Sequence, residues 1–247
     1  MKKLILVLII TTFLGCDKEE TGDCFQTAGT SISYEMDFPV FTKITIQKNI
    51  RLILKYGPTQ KVHVKTGENL KPEIYGTIDG DRLIFTNENN CNFVRGYDDA
   101  VVTITSPNIV EIRNSSQHTI TSLNTLEYPN LYLHVTGDKF KYLPIGDYDI
   151  TVKCSVLRVW ANGTATIKVT GTTDNLNINF SDTDPRFLGR HLIAKNVTVN
   201  NTSTNDMHVF ATEKIEGHIY RLGDVYCYSK PAIVNVVEHY KGRLIFK

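Results

Sequence analysis

The sequence predicts an all-β protein: a β-solenoid of stacked coils, or rungs, of about 20 residues each, with an N-terminal cap of β-strands. Hydrophobic residues alternate with polar ones along most of the chain, as at Ile50, Leu52 and Leu54. This period of two is typical of half-buried strands. Clusters of Gly, Pro, Asn, Asp and Ser separate the alternating segments and favour turns. No convincing amphipathic helix follows the first residues.

The first fifteen residues have the pattern of a lipoprotein signal peptide. Lys2 and Lys3 precede an apolar run, and Gly15 stands directly before Cys16. The run is shorter than the roughly 20 residues that a membrane-spanning helix needs. We therefore predict that residues 1–15 are removed and that Cys16 is lipidated. Because Phe13 is less usual than Leu in a lipobox, an ordinary secretory signal is the alternative.

Residues 16–30 are predicted to be a tether that leads from the lipid anchor to the domain. Its acidic start, Asp17 to Glu20, resembles the signal that sends some lipoproteins to the outer face of the outer membrane; a solvated tether is the alternative. The expected location is the cell envelope, as an outer-membrane lipoprotein that could be surface-exposed. The expected partner there is the membrane, bound through Cys16.

Charge excludes one class of partner. The chain has 27 Lys and Arg against 26 Asp and Glu, and removal of residues 1–15 takes away two lysines. The mature chain is thus close to neutral and has no basic field that would attract nucleic acid.

The predicted domain, residues 31–247, has two parts. In the N-terminal β part, residues 31–108, the strands between Phe38 and Phe85 are expected to cap one end, and Tyr240–Phe246 to cap the other. In the repeat part, residues 109–247, a short strand and a polar turn recur about every 20 residues. An extra hairpin or sub-turn is expected at Trp160–Thr164. The register of the repeat aligns Ile112, Leu133, Val152, Ile178, Val199, Ile219 and Val236.

Four cysteines remain besides Cys16. Cys24 and Cys91 lie in polar surroundings, and an oxidising compartment favours a disulfide between them. Cys154 and Cys227 share the parity of neighbouring valines, so both are predicted to be inward-facing core thiols. Several rungs would separate these two, which rules out a bond between them.

Several segments together resemble the family described as "putative auto-transporter adhesin, head GIN domain". The opening stretches are Phe41–Ile46, Ile50–Leu54, Val62–Leu70 and Asp79–Phe85, and the closing ones are Ile215–Tyr220 and Gly223–Pro231. In the last of these, Ser229 stands where the family usually has glycine. The resemblance implies a β-helical body, often in a lipoprotein, and it carries no catalytic residues.

Catalytic chemistry has little support in the sequence. The acidic pairs Asp98-Asp99, Asp147/Asp149 and Asp182/Asp184 could serve a carbohydrate-cleaving enzyme. All of them lie among turn-forming residues, where Asp is favoured for local hydrogen bonds. The seven histidines show no metal-binding spacing. We therefore expect no catalytic residue, metal or cofactor.

Aromatic residues are the best candidates for ligand contact. Tyr220, Tyr226, Tyr228 and Tyr240 cluster near the C-terminus, and Tyr226 and Tyr228 should face outward together. Such rings could bind a glycan or a protein; alternatively they cover the last rung or form a contact in a homo-oligomer. The sequence thus favours a non-enzymatic binding module of adhesion type. The alternatives are a carbohydrate-active lyase or hydrolase and a structural or signalling-associated envelope lipoprotein.

Overall fold

The computed structural model describes residues 26–89, 100–137, 142–182 and 184–247. The described residues form one sheet of seventeen strands, which confirms the predicted all-β class. The first strands are β1 (Ser31–Met36), β2 (Lys43–Gln47), β3 (Ile50–Tyr56), β4 (Lys61–Gly67), β5 (Ile74–Asp79), β6 (Arg82–Asn87) and β7 (Ala100–Ser106), with a 3-10 helix at Glu68–Glu73. The others are β8 (Glu111–Ser115), β9 (Ile120–Ser122), β10 (Asn130–Val135), β11 (Tyr148–Ala161), β12 (Thr166–Phe180), β13 (Arg186–Asn201), β14 (Met207–Ile219), β15 (Val225–Cys227), β16 (Ile233–Glu238) and β17 (Leu244–Phe246).

Parallel pairing joins most strands into two ladders. Ladder 1 contains, in order, β7, β3, β9, β11, β12, β13, β14, β15 and β17. Ladder 2 contains β6, β2, β8, β10, β11, β12, β13, β14 and β16. The long strands β11 to β14 belong to both, because the first half of each pairs in ladder 1 and the second half in ladder 2. Neighbouring strands in a ladder lie about 4.8 Å apart.

Chain order and spatial order differ in the N-terminal part. β2 lies between β6 and β8, and β3 lies between β7 and β9. Antiparallel strands close this end: β4 pairs with β7 and with β1, and β5 pairs with β6. Among the strands that the sequence predicts as a cap, β4 and β5 are therefore antiparallel end strands, whereas β2, β3 and β6 belong to the parallel ladders.

The predicted register of the repeat is confirmed at some positions and wrong at others. Ile112 lies beside Leu133, as predicted. Leu133, however, lies beside Val159 and not beside Val152. The prediction failed because β11 contributes to both ladders, and Val152 belongs to the half that does not reach Leu133.

A second register error occurs at the C-terminal end. Val199 lies beside Gly217, and Ile219 lies beside Asn201. A shift of two residues keeps the same face of a strand inward, so alternation alone does not distinguish the two registers.

Of the two alternatives expected at Trp160–Thr164, the hairpin is wrong, whereas a turn between two strands is confirmed. Trp160 lies inside β11, which ends at Ala161. The following strand, β12, pairs with β11 in parallel and not as a hairpin partner. The intervening residues turn the chain toward the start of the next parallel strand.

The inward faces of both ladders form one aliphatic core. Cys154 and Cys227 are buried in it as free thiols, as predicted. Buried asparagines lie at the ends of β8 and β13, which we call corners. Asn114 and Asn201 each accept a hydrogen bond from the backbone N–H two residues later, at 3.1 and 3.0 Å. Fixing a corner in this way satisfies polar groups that burial would otherwise leave unpaired.

Several predictions lie outside the described residues. These are the signal peptide, the lipidation of Cys16, the tether up to residue 25, and the disulfide between Cys24 and Cys91. The described residues contain no helix whose length and hydrophobicity would let it cross a membrane.

Candidate functional site

An aromatic column stands on the outward face of ladder 2. Tyr132 and His134 lie two residues apart on β10, so both point outward, and their rings stack with centroids 5.0 Å apart. The His134 ring in turn stacks on Trp160 of β11, at 5.5 Å. Trp160 remains 41% exposed. Its indole Nε1 donates a hydrogen bond to Ser181 Oγ at 3.1 Å, which fixes the orientation of the ring.

A groove of about 210 Å³ lies beside this column, across β11, β12 and β13; we call it the Trp160 groove. Its lining consists of Tyr132, Arg158, Val159, Trp160, Asn177, Ile178, Asn179, Thr198 and Asn200. His134 approaches the indole from the β10 side, whereas β12 and β13 lie on the opposite side of β11. The second face of the indole therefore borders the groove.

The polar side chains of the Trp160 groove are free to bind a ligand. Within the described ranges, the carboxamides of Asn177, Asn179 and Asn200 and the guanidinium of Arg158 make no hydrogen bond or ion pair. A carboxamide both donates and accepts hydrogen bonds, and a guanidinium only donates. The groove thus combines one aromatic face with several donors and acceptors held on rigid strands.

A row of outward side chains continues from the groove toward the C-terminal end of ladder 2. Trp160, Asn179, Asn200 and His218 are paired in register on successive strands and therefore form one outward row. The row spans three strand spacings, which is roughly 14 Å.

A second aromatic group, the Tyr220 cluster of His218, Tyr220 and His239, stands at the end of this row. The Tyr220 ring stacks on His239 at 4.7 Å and on His218 at 5.5 Å. Nδ1 of His218 lies 3.1 Å from Nε2 of His239. Tyr220, a predicted ligand-binding residue, is thus at the far end of the row that begins at Trp160.

A third group, the Tyr226 cluster, lies on the outward face of ladder 1. His208 stacks on both Tyr226 and Tyr228, at 5.1 and 5.8 Å. The guanidinium of Arg190 lies 4.8 Å from the centre of the Tyr228 ring, and Lys247 Nζ lies 5.1 Å from that of Tyr226. Desolvation lowers the pKa of His208 below its ordinary value, which favours a neutral imidazole among these cations.

The predicted orientation of Tyr226 and Tyr228 is confirmed, because the intervening Cys227 is buried. The four predicted tyrosines do not form one site, however. Tyr220 directly follows β14 beside ladder 2, whereas Tyr226 lies on β15 in ladder 1 and Tyr228 directly follows that strand. Tyr240 is 59% exposed, and its ring is approached by the adjacent Lys241, at 5.7 Å.

The sequence interpretation missed Trp160 because it placed this residue in a turn. Outward parity with Arg158 on the same alternating segment was the signal that could have located it. A position within a strand, and not in a turn, is what stacks the indole on His134.

Two carboxylates of the acidic pairs have structural partners among the described residues. Asp147 Oδ1 accepts a hydrogen bond from the backbone N–H of Thr166 at 2.6 Å. Asp149 forms an ion pair with Lys168 at 2.9 Å. The pair Asp98-Asp99 lies outside the described residues. Across the described ranges, no group of three or more His, Cys, Asp or Glu side chains could hold a metal ion.

Solved structures of other bacterial proteins share this fold. A protein from Bacteroides fragilis described as a putative adhesin superimposes with a TM-score of 0.78 at 18% identity, covering 90% of this chain and 99% of that one. A protein from Parabacteroides distasonis described as a putative lipid binding protein gives a TM-score of 0.63 at 14% identity, with coverages of 88% and 97%. At these identities the similarity establishes the fold alone.

Sequence comparison establishes the family. Among curated proteins, no similar sequence was found. A family model matches residues 40–231, a range that includes the Trp160 groove and the Tyr220 and Tyr226 residues. The chain therefore belongs to the family described as "putative auto-transporter adhesin, head GIN domain".

Proposed function

We propose that this chain is a non-enzymatic binding module of adhesion type, held in the cell envelope by a lipid at Cys16. The observation that carries the proposal is the pair of outward strand faces with stacked aromatic side chains. Side chains on strands are held more precisely than side chains on loops, and precise positioning reduces the entropic cost of binding.

A β-solenoid is the architecture that we propose for this module. Two parallel ladders share the strands β11 to β14, so each long strand bends from one ladder into the other. A chain that repeats this path winds as a coil with one aliphatic interior. Successive coils then repeat the same outward positions, as an extended ligand would need.

Anchoring follows from the N-terminal sequence. Each buried methylene of an acyl chain contributes about 0.8 kcal/mol to membrane binding, so several chains on Cys16 would hold the protein almost permanently. Residues 17–30 would then separate the domain from the membrane. Surface exposure on the outer membrane is part of this proposal.

An experiment on anchoring uses the full chain expressed in a diderm bacterium that is fed an alkyne fatty acid. The wild-type protein should carry the label and sediment with membranes. The variant Cys16→Ser should lose the label and leave the membrane fraction. A variant that keeps the label would show that the lipid is elsewhere and would refute this assignment.

An experiment on binding uses the full chain purified in detergent and tested against glycan and extracellular-protein arrays, together with assays for lyase and hydrolase turnover. Reproducible binding without turnover supports the proposal. Turnover that Asp182→Ala or Asp184→Ala abolishes would favour a carbohydrate-active enzyme instead. A stable protein partner in crosslinking, without glycan affinity, would favour a structural or signalling-associated lipoprotein.

A further inference from the structure

We propose that the Trp160 groove is a subsite for an acidic glycan, whose sugar ring stacks on Trp160 and whose carboxylate binds Arg158. This inference rests on the proposed binding function and names its ligand class. The tyrosines that the sequence pointed to are not required for this subsite.

The aromatic wall selects for a sugar ring. The C–H bonds on one face of a pyranose carry slight positive charge, and the face of an aromatic ring is negative. His134 stacks on one face of the indole, which leaves the groove-side face for the ligand. The hydrogen bond from Trp160 Nε1 to Ser181 Oγ holds this face toward the groove before any ligand arrives, so little ordering remains to be done on binding.

The asparagine side chains that line the groove match the hydroxyl groups of a sugar. Asn177 and Asn179 lie on β12, beside the strand of Trp160, and Asn200 lies on β13, one strand further. All three line the groove. Their carboxamides offer donors and acceptors in the same small space. A purely apolar ligand would leave these groups without partners and would lose affinity for that reason.

Charge favours an acidic sugar over a neutral one. Arg158 is the one charged residue among the described residues that line the groove. Its strand neighbours in register are Tyr132 and Asn177, so no carboxylate stands directly beside it in the row. A guanidinium binds a carboxylate through two parallel hydrogen bonds.

The volume of the groove and the row of side chains beyond it indicate that the ligand is an oligosaccharide and not a single sugar. A groove of about 210 Å³ is smaller than the usual pocket for a small molecule and suits one ring of a longer ligand. The row of Asn179, Asn200 and His218 continues from the groove to the Tyr220 cluster. An extended oligosaccharide could therefore contact both aromatic groups.

The test measures fluorescence, because Trp160 is the single tryptophan of the chain. The full chain in detergent is titrated with oligogalacturonates, and neutral galacto-oligosaccharides of the same length serve as the comparison. We expect saturable quenching or a spectral shift with the acidic series, and binding at least tenfold weaker with the neutral series. Equal affinity for both series would overturn the assignment of charge recognition to Arg158.

Variants separate this subsite from other binding surfaces, with calorimetry as the readout and circular dichroism as the check of folding. Trp160→Ala should weaken oligogalacturonate binding at least tenfold, and Trp160→Phe should retain part of the affinity. Arg158→Gln should weaken acidic binding at least tenfold, to the level of the neutral series, and leave neutral binding unchanged. Tyr75→Ala is the matched control, because Tyr75 is 43% exposed but lies on the antiparallel strand β5, away from the groove.

Failure of this inference differs from failure of the proposed function. If glycans bind but Tyr226→Ala abolishes binding while Trp160→Ala does not, the Trp160 subsite is refuted and the binding function stands. The same holds if only proteins bind. If no glycan and no protein binds the full chain, both proposals are refuted.

Discussion

Arg82 on β6 and Glu111 on β8 are joined by an ion pair of 2.9 Å that crosses β2, the strand between them. The Glu111 side chain is only 16% exposed. The pKa of its carboxyl is lowered to about 2 because His134 and Arg82 both approach it. This contact ties together the strands whose spatial order departs from chain order, so it should stabilise that part of the fold.

Glu111→Gln should therefore destabilise the protein in a pH-dependent way. A carboxyl whose pKa is lowered by folding contributes stability above its ordinary value of 4.5 and loses that contribution as the pH falls toward 2. Urea unfolding at pH 7 should show a loss of about 1–3 kcal/mol, which should shrink at pH 3. Glu127→Gln is the control, because the exposed pair Glu127–Lys153, at 3.6 Å, should contribute less than about 1 kcal/mol. An equal deficit for Glu111→Gln at both pH values would contradict this account.

Two glycines inside the long strands β12 and β14 should be intolerant of alanine. Gly171 and Gly217 have φ values of +109° and +124°, and a Cβ there would lie 2.0 and 1.9 Å from the carbonyl oxygens of Val152 and Val199 on the neighbouring strand. Gly171→Ala and Gly217→Ala should each lower the free energy of unfolding by at least about 3 kcal/mol, or prevent folding.

The matched control for these glycines is Gly80→Ala. Gly80 also has a positive φ, +61°, but a Cβ there would meet nothing within 4 Å. Gly80→Ala should lower the free energy of unfolding only by the backbone strain, about 1–2 kcal/mol. Thermal unfolding would measure all three variants, and a cost at Gly171 no greater than that at Gly80 would show that the close approach to Val152 is not limiting.

The corner asparagine Asn201 should matter more than its polar neighbours. It is fully buried, donates to the carbonyl of Gly223 at 3.1 Å, and accepts from the N–H of Ser203 at 3.0 Å. Asn201→Ala would leave both partners unpaired and should cost about 2–4 kcal/mol in chemical unfolding. Asn196→Ala removes a partly exposed side-chain contact to Asn175 and should cost less than about 1 kcal/mol. Comparable losses in the two variants would argue against a special role for the corner.

Alternation in the sequence was sufficient to predict which residues form the core. Ile112, Leu133, Ile178 and Val199 are all buried, because a period of two assigns one face of each strand to the interior. Alternation does not determine which strands are neighbours. Gly217 and Ile219 have the same parity, so both fit the predicted pattern. The register shifts between β13 and β14 determine that Gly217 lies beside Val199.

The candidate site was less predictable than the core. Tyr226 and Tyr228 could be placed outward from the parity of Cys227, since all three lie on one short segment. The stacking of Trp160 on His134 depends on the pairing of β11 with β10, a contact between residues far apart in sequence. The spatial order of β2, β6 and β8 could not be predicted either. The local sequence of a strand does not show whether it pairs with the next strand along the chain or with a later one.

The cysteines allow a last prediction, which concerns residues outside the described part of the chain. In the folded full chain, Cys154 and Cys227 are buried, and burial raises the pKa of the Cys154 thiol, so neither should react with an alkylating reagent. After unfolding without reductant both should react, and mass spectrometry should find Cys24 and Cys91 labelled only once a reductant is added. Closing a loop of roughly 68 residues should contribute about 3–4 kcal/mol, so Cys24→Ser should destabilise the protein by this amount and expose Cys91 to the reagent. Labelling of Cys24 and Cys91 in the wild-type chain without reductant would rule out the disulfide.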